Sequence, residues 1–290
     1  MYYYSYKQFL KDRYGKPAQR VPIDLAFGCP HRQSHRGEGG CIFCGEDAGR
    51  ALYLEESMSV EEQVYHGIRK IRDKYPSRDL MAYFQAFSST YAGAGELRRK
   101  VDRVLQSADF RAVIFGTRPD CLPESIIDYL KELRESYDVW VEIGVQSAND
   151  KTLAFINRRH DFACVKDAVY RLSDTGIHCA CHVILGLPGE GLEDIKNTAS
   201  RIAELPFEGL KVHNLHIVEG TVLTEMWRRG EVQTQTEAEY CNWLIEFLRR
   251  IPENWGIMRL VSDTPESFLL APKWNMSKAE FVNYLHAEMK

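Results

Sequence analysis

The chain has no run of roughly 20 apolar residues, the length a helix needs to cross a bilayer. Its opening residues, MYYYSYKQFLKDRYGK, lack the apolar centre and small-residue cleavage site of an export signal. Both absences argue for a soluble, cytoplasmic protein with no membrane partner. Without export, the eight cysteines are poor material for disulfides, because a reducing cytosol keeps thiols reduced. Excess basic charge is missing too: the net charge is −4, so no global positive field draws in nucleic acid. Basic clusters at Arg98-Arg99-Lys100, Arg158-Arg159-His160, Arg228-Arg229 and Arg249-Arg250 lie on or beside helical patterns, where solvated charge is ordinary. RNA is permitted by this composition and not indicated by it, and no segment resembles a dedicated RNA-binding module. No fixed-period repeat or low-complexity tract is present.

What is present is alternation. A 290-residue chain with 44% hydrophobic content can bury a full core. Val21-Pro-Ile-Asp-Leu-Ala-Phe27 reads as a strand ending at Gly28-Cys29, followed by a long loop to about residue 56. Ser59-Val-Glu-Glu62 is a capping box that opens a helix, with Val60, Val64, Ile68, Ile71 and Tyr75 on one face and Pro76 as its stop. Strand patterns follow at 80–87, 112–115, 139–145, 177–185 and 210–217. Helical patterns fall between them at 94–106, 123–137, a stretch from Asn149 past Leu172, and 191–204. Strands this apolar, separated by helices, pair in parallel with helices covering the sheet. Polar residues recur at strand ends all along the chain rather than at one switch point, which favours a barrel over a doubly wound sheet.

The expected fold is therefore α/β: a full or partial parallel (β/α) TIM-like barrel of six units over residues 21–220, after an N-terminal segment 1–20. Helices near 222–229 and 236–250, the apolar run 257–261 and a capped helix from Ser277 make residues 221–290 a C-terminal extension of the same domain.

Three cysteines stand apart from the other five, which sit in apolar patterns as small buried hydrophobes. Cys29 follows the first strand and so belongs at the C-terminal mouth of a parallel barrel, where such folds carry chemistry. Cys41 and Cys44 form a CxxC pair in the loop that follows. A redox dithiol leaves Cys29 unexplained. Zinc remains open, since His31 or His35 could complete a Cys3His set. An iron-sulfur cluster also remains open: three thiolates are one short of the usual four, which leaves one iron for a ligand.

The cysteine loop resembles the cluster loop of the radical S-adenosylmethionine (SAM) superfamily. Its first gap of eleven residues is similar to that of the elongator-related YhcC/YtqA-type branch. YFQAFSSTYAG, FGTRPDCLP, VEIGVQSAND, NRRH, HVILGLPGE, LKVHNLHIVEGTVL and the tail from MRLVSDTP to LLAPKWNMSK resemble that branch's blocks in order, over nearly the whole chain. The resemblance implies a [4Fe-4S] cluster on Cys29, Cys41 and Cys44, with SAM chelating the fourth iron. It further implies Phe43 against the adenine and Gln85, Ser88 and Ser89 at the methionine amino group, although the family's common Gly-Gly-Glu is absent. Thr117 joins the cofactor side, beside Arg118 at the end of its strand. Glu142 and Gln146 fall to the ribose hydroxyls, Arg158 to SAM with Arg159 as a solvated neighbour, and Gly186 to a close backbone approach at the adenine. On 210–217, alternation puts Lys211 and His213 on one face and Asn214 and His216 on the other; the first pair is the expected inward, substrate-side set. Arg259 and Trp274 would close that side.

The chemistry implied is reductive cleavage of SAM to a 5'-deoxyadenosyl radical, fed by a low-potential donor such as flavodoxin or ferredoxin. The implied substrate is a tRNA wobble uridine. A small molecule or peptide substrate, and a non-catalytic zinc- or cluster-binding scaffold, remain as alternatives.

Overall fold

The computed structural model describes residues 3–30, 32, 39–46, 49–75, 79–262 and 264–290. Seven parallel strands form one sheet: β1 (Ala18–Ile23), β2 (Asp79–Phe84), β3 (Ala112–Thr117), β4 (Asp138–Gln146), β5 (His178–Leu185), β6 (Gly209–Asn214) and, after the two-residue β7 (Ile217–Val218), β8 (Gly256–Arg259). Their order in space is β1-β2-β3-β4-β5-β6-β8, and the sheet curls into a half-barrel that does not close between β1 and β8. A small antiparallel pair of β7 with β9 (Leu269–Ala271) lies beside it.

Helices cover the outer face. α1 (Tyr6–Tyr14) precedes the sheet; α2 (Val60–Lys74), α3 (Ala94–Ser107) and α4 (Glu124–Arg134) follow β1, β2 and β3. α5 (Asp150–Phe155) and α6 (Phe162–Ser173) both follow β4, and α7 (Leu192–Ala203) follows β5. α8 (Val222–Arg228) and α9 (Glu237–Leu248) lead into β8, and α10 (Lys278–Glu288) ends the chain. The expected capping boxes at Ser59 and Ser277 form, each hydroxyl accepting from the amide three residues on. Pro76, the expected stop of α2, lies outside the described residues.

Three expectations need correction. The run 257–261, assigned to an extension, holds the seventh strand of the sheet: Gly256 and Ile257 pair with Gly209 and Leu210. Four residues are too few for a periodicity signal, so only pairing identifies this strand.

The first strand is shifted as well. It spans Ala18–Ile23, and Asp24 breaks it, its carboxylate accepting from the Ala26 amide at 2.7 Å and from Arg50 at 2.7 Å. Gln63 of α2 seals the break by accepting from the Asp24 amide and donating to its carbonyl. Cys29 therefore sits beyond an irregular stretch, not directly after the strand.

Finally, the helix expected to run from Asn149 past Leu172 is two helices. Asp161 caps the second, and Asn157 and Arg159 adopt left-handed φ of 56° and 55° between them.

Alternation divides the strand side chains. Val113 and Phe115, Val139 and Val141, Val183 and Leu185 point to the helices and form the large outer core. Ala112 and Ile114, Trp140, Ala180, Met81 and Tyr83 point into the barrel, where Phe9 and Leu10 of α1 plug its lower end. Phe9 meets Trp140 edge-on with centroids 5.5 Å apart, a contact worth about 1 kcal/mol beyond its buried area. A bridge between Ser5 and Ile257 fastens the N-terminal segment beside β8.

Candidate active site

The three singled-out cysteines converge at the C-terminal mouth of the half-barrel. Each lies within reach of the others' charge: Cys41 acts on both Cys29 and Cys44. Burial raises the Cys29 thiol and pushes Cys44 up to about 12, while the guanidinium groups of Arg32, Arg118 and Arg158 pull the other way. Ser88 Oγ lies 3.3 Å from Cys29 Sγ, Arg158 donates to Cys41 Sγ at 3.4 Å, and Arg32 donates to Cys44 Sγ at 3.6 Å. The loop is held by its neighbours rather than by a core of its own. Ile42 donates its amide to Ile156 and accepts from Leu223, and Asn157 reaches the carbonyls of Gly39 and Gly40.

The break between α5 and α6 delivers Arg158 to this place. Its Nη2 donates to the Gly144 carbonyl at 2.6 Å, and its own carbonyl accepts from Arg118 at 2.7 Å. A Cβ on Gly144 would stand 2.8 Å from Gln146 Nε2 and 2.9 Å from Arg158 Nη2, so glycine is what lets these two side chains share the strand end. Gln146 itself takes a φ of 69°, at a register shift between β4 and β5.

Buried donors at the mouth have no partner among the described residues. Ser89 Oγ and Arg118 Nη1 are both shielded from solvent and unbonded, although Arg118 forks onto Asp120 at 2.8 and 2.7 Å. Such groups are costly unless a ligand completes them.

A second constellation lies deeper. Glu142, 1% exposed, holds Tyr83 Oη at 2.7 Å, His182 Nε2 at 2.8 Å and Lys211 Nζ at 2.8 Å on one oxygen. Its other oxygen lies 2.6 Å from Arg20 Nη2, an ion pair too poorly angled to count as a hydrogen bond. Arg20 is stacked between Tyr6 and Tyr83, 4.8 Å from each ring centroid. Burial works against the charge on Glu142, yet Arg20, Lys211 and His182 hold its carboxyl well below the usual range. Burial pushes Lys211 down to about 7 against the pull of Glu142, with Arg20 and Arg259 adding to the shift, and pushes His182 down to about 4.

The expected site residues fare differently. Cys29, Cys41, Cys44, Ser88, Ser89, Gln146 and Arg158 gather at the mouth, and Gln85 adjoins Gly116 there. Phe43 packs half-buried against the outer core. Lys211 and His213 do point inward, His213 with its ring 5.9 Å from His182, whereas Asn214 turns outward to bond Ser262.

Three placements differ from expectation. The Thr117 hydroxyl faces the helices and bonds Thr90 Oγ1 at 2.6 Å, because Gly116 takes the inward position. The space over Gly186 belongs to Gln235, whose side-chain oxygen would sit 1.9 Å from a Cβ there. Glu142 also departs from its expected surroundings, since four protein groups already occupy the carboxylate assigned to ribose. Sequence reasoning missed Arg20, Tyr83 and His182, and left Arg118 and Arg32 out of the site. One signal could have found Tyr83: a tyrosine at an inward position of a largely apolar strand.

The arrangement fits a thiolate-bound cluster with SAM. It offers three thiols, cations on their sulfurs, and unfilled donors beside them. Among the described residues no three Cys, His, Asp or Glu side chains gather tightly enough for a single metal ion, and His31 and His35, the fourth ligands the zinc alternative requires, lie outside those residues. A cubane's ligands stand farther apart than those of one ion. Among the described residues no helix is long and apolar enough to cross a membrane.

Comparison with known proteins agrees with this geometry. The family described as the Radical SAM superfamily matches residues 25–202, and the Radical_SAM C-terminal domain matches residues 207–290. YtqA of Bacillus subtilis is 32% identical over 99% of this chain and 89% of its own length. A tRNA uridine(34) acetyltransferase of Methanocaldococcus jannaschii is 26% identical over 83% of this chain and 50% of its own length. Among solved structures, the archaeal Elp3 of Methanocaldococcus infernus superposes with a TM-score of 0.75 at 18% identity, covering 94% of this chain and 62% of that one.

Proposed function

Because the chain belongs to the radical SAM superfamily, an enzyme family that uses a [4Fe-4S] cluster and SAM, we propose that it carries out radical chemistry on a uridine of tRNA. The observation that carries the reading is the meeting of Cys29, Cys41 and Cys44 with unfilled donors, Ser89 Oγ and Arg118 Nη1, at the open end of a polar barrel interior. When bound, cluster and SAM would supply reductive cleavage of the sulfonium to a 5'-deoxyadenosyl radical, with electrons from a low-potential flavodoxin or ferredoxin.

The protein's own residues bind, orient and shield. Cys29, Cys41 and Cys44 would hold the cluster, and Arg158 and Arg32, already donating to two of the sulfurs, offset its negative charge. Ser88, Ser89, Gln85 and Arg118 line the place for the amino-acid end of SAM, and Phe43 offers a ring for its adenine. Gln146, beside Arg158 at the end of β4, is within the same rim. The Glu142–Lys211–Arg20 layer ties β1, β4 and β6 together beneath the mouth.

The tRNA assignment rests on similarity to a tRNA uridine(34) acetyltransferase. The net charge of −4 favours a small molecule or peptide instead. Two measurements test the reading. Anaerobically reconstituted protein, reduced with dithionite in the presence of SAM, should release 5'-deoxyadenosine; a full cluster without that product refutes the chemistry. Nucleoside profiles of tRNA from cells with and without the protein should differ at a modified uridine; identical profiles refute the substrate.

A further inference from the structure

The inner wall formed by β5, β6 and β8 carries four basic side chains, for which the described residues supply one carboxylate. The register shift between β6 and β8 sets Arg259 opposite Lys211, and His213 follows two residues along the same inward face. Arg259 is half-buried, yet it makes no hydrogen bond or ion pair with any described residue. His213 makes none either; its neighbour is the His182 ring. The charges that bear most on Lys211 and His213 belong to Glu142, Arg20, Arg259, His182 and His216. Glu142 alone is negative, and Arg20, Lys211, His182 and Tyr83 already occupy it.

A guanidinium half out of water without a counter-ion costs free energy. Ordinary proteins relieve this with a second carboxylate. Here no described acidic side chain does so, and Arg259 and His213 both lie on the inward face of the sheet. A guanidinium presents a planar fork suited to two oxygens, and an imidazole beside it adds a third donor.

We propose that Arg259 and His213 form a binding site for an anionic group of the substrate, a phosphate or carboxylate, inside the half-barrel. The inference rests on reading the barrel interior as the substrate cavity. For a nucleotide substrate the anion is a phosphate; for a small organic acid it is a carboxylate. Such an anion would fix how far the substrate enters and present its neutral part to the cluster end.

Calorimetric titration of the reconstituted, SAM-loaded enzyme tests the site with four probes: inorganic phosphate, uridine 5'-monophosphate, acetate and uridine. The charged probe that matches the substrate binds about tenfold more tightly to wild type than to Arg259→Gln, with Arg259→Lys in between because it keeps the charge and loses the fork. Uridine binds wild type and variant alike. Arg259 has no hydrogen-bond or ion-pair partner among the described residues, so both variants should melt with wild type, which separates lost binding from lost folding. Preference for phosphate and its ester identifies a phosphate ligand, and preference for acetate a carboxylate; either supports the site. If none of the three anions distinguishes wild type from Arg259→Gln, the inference is overturned. Unchanged tRNA nucleoside profiles together with an Arg259-dependent anion would sink the tRNA reading and leave this site standing.

Discussion

The two ends of the half-barrel are built from the same strands and hold similar side chains, yet they treat polar groups in opposite ways. At the lower end Asp138 receives Arg13 through two bonds of 2.7 and 2.8 Å, and Trp140 Nε1 at 3.2 Å. His178 adds a 2.6 Å contact to Glu208, and Phe9 closes the floor. At the mouth Ser89 Oγ, Arg118 Nη1 and Arg32 Nε are buried without partners among the described residues, and Arg259 and His213 face the interior unpaired by any of them. Tyr129 Oη on α4 and Asn214 Nδ2 on the outer face of β6 belong to neither end, and Arg20 Nε and Glu142 Oε1 lie open in the layer between the ends. A folding chain satisfies its buried donors wherever the only purpose is stability. Donors gathered open at the mouth, beside the three thiols, mark where something other than protein is meant to sit.

The largest effect that could break this contrast concerns the thiols. Replacing Cys29, Cys41 or Cys44 singly by serine should abolish cluster incorporation, read as loss of iron, sulfide and brown colour after anaerobic reconstitution. The same change at Cys179 or Cys181, buried in the outer core, should leave cluster content intact. A full cluster in the Cys41→Ser protein would remove the basis of the site.

Next is Glu142→Gln, which strands Arg20 and Lys211 in the barrel and should cost roughly 3–5 kcal/mol in denaturant unfolding. Loss below about 1 kcal/mol would mean that water already serves these cations. A smaller effect sharpens the same layer. Lys211 titrates near 7 in the fold and near its ordinary value of about 10.4 when unfolded, so the unfolded chain binds the extra proton between those limits. Stability should rise with pH across that window, and Lys211→Met should flatten the rise. His182 is depressed to about 4 from its ordinary value of about 6.5, so stability should fall as pH drops from the higher value to the lower.

How much of this was legible depends on whether the signal is local. The CxxC pair, the capping boxes at Ser59 and Ser277 and the inward parity of Lys211 with His213 are all written within a few neighbouring residues, and the structure shows each of them in place. The Arg20–Tyr83–Glu142–His182–Lys211 layer joins five strands, and nothing near any one member signals the others. β8 was missed for the same reason, since its identity lies in pairing with β6. The break after Ile23 was hidden because Leu25 and Phe27 stay buried and imitate a continuing strand, while Asp24 and Gln63 do the breaking from 39 residues apart.

Thr117 and Arg118 offer the finest version of the contrast, because adjacent residues at one strand end face opposite ways. The Thr117 hydroxyl is spent on Thr90, which in turn donates to the Cys121 carbonyl at 2.6 Å; the Arg118 fork leaves Nη1 open beside the thiols. Thr117→Val keeps the shape and removes one buried hydrogen bond, so it should cost about 1 kcal/mol of stability and leave SAM affinity unchanged. Arg118→Lys keeps the charge and removes the open nitrogen, so it should weaken SAM binding by about tenfold. Equilibrium dialysis of SAM against both variants measures the difference directly. Were Thr117→Val the variant that lost SAM, the hydroxyl would have to turn inward on binding, and the outward face of β3 could no longer be counted as structural.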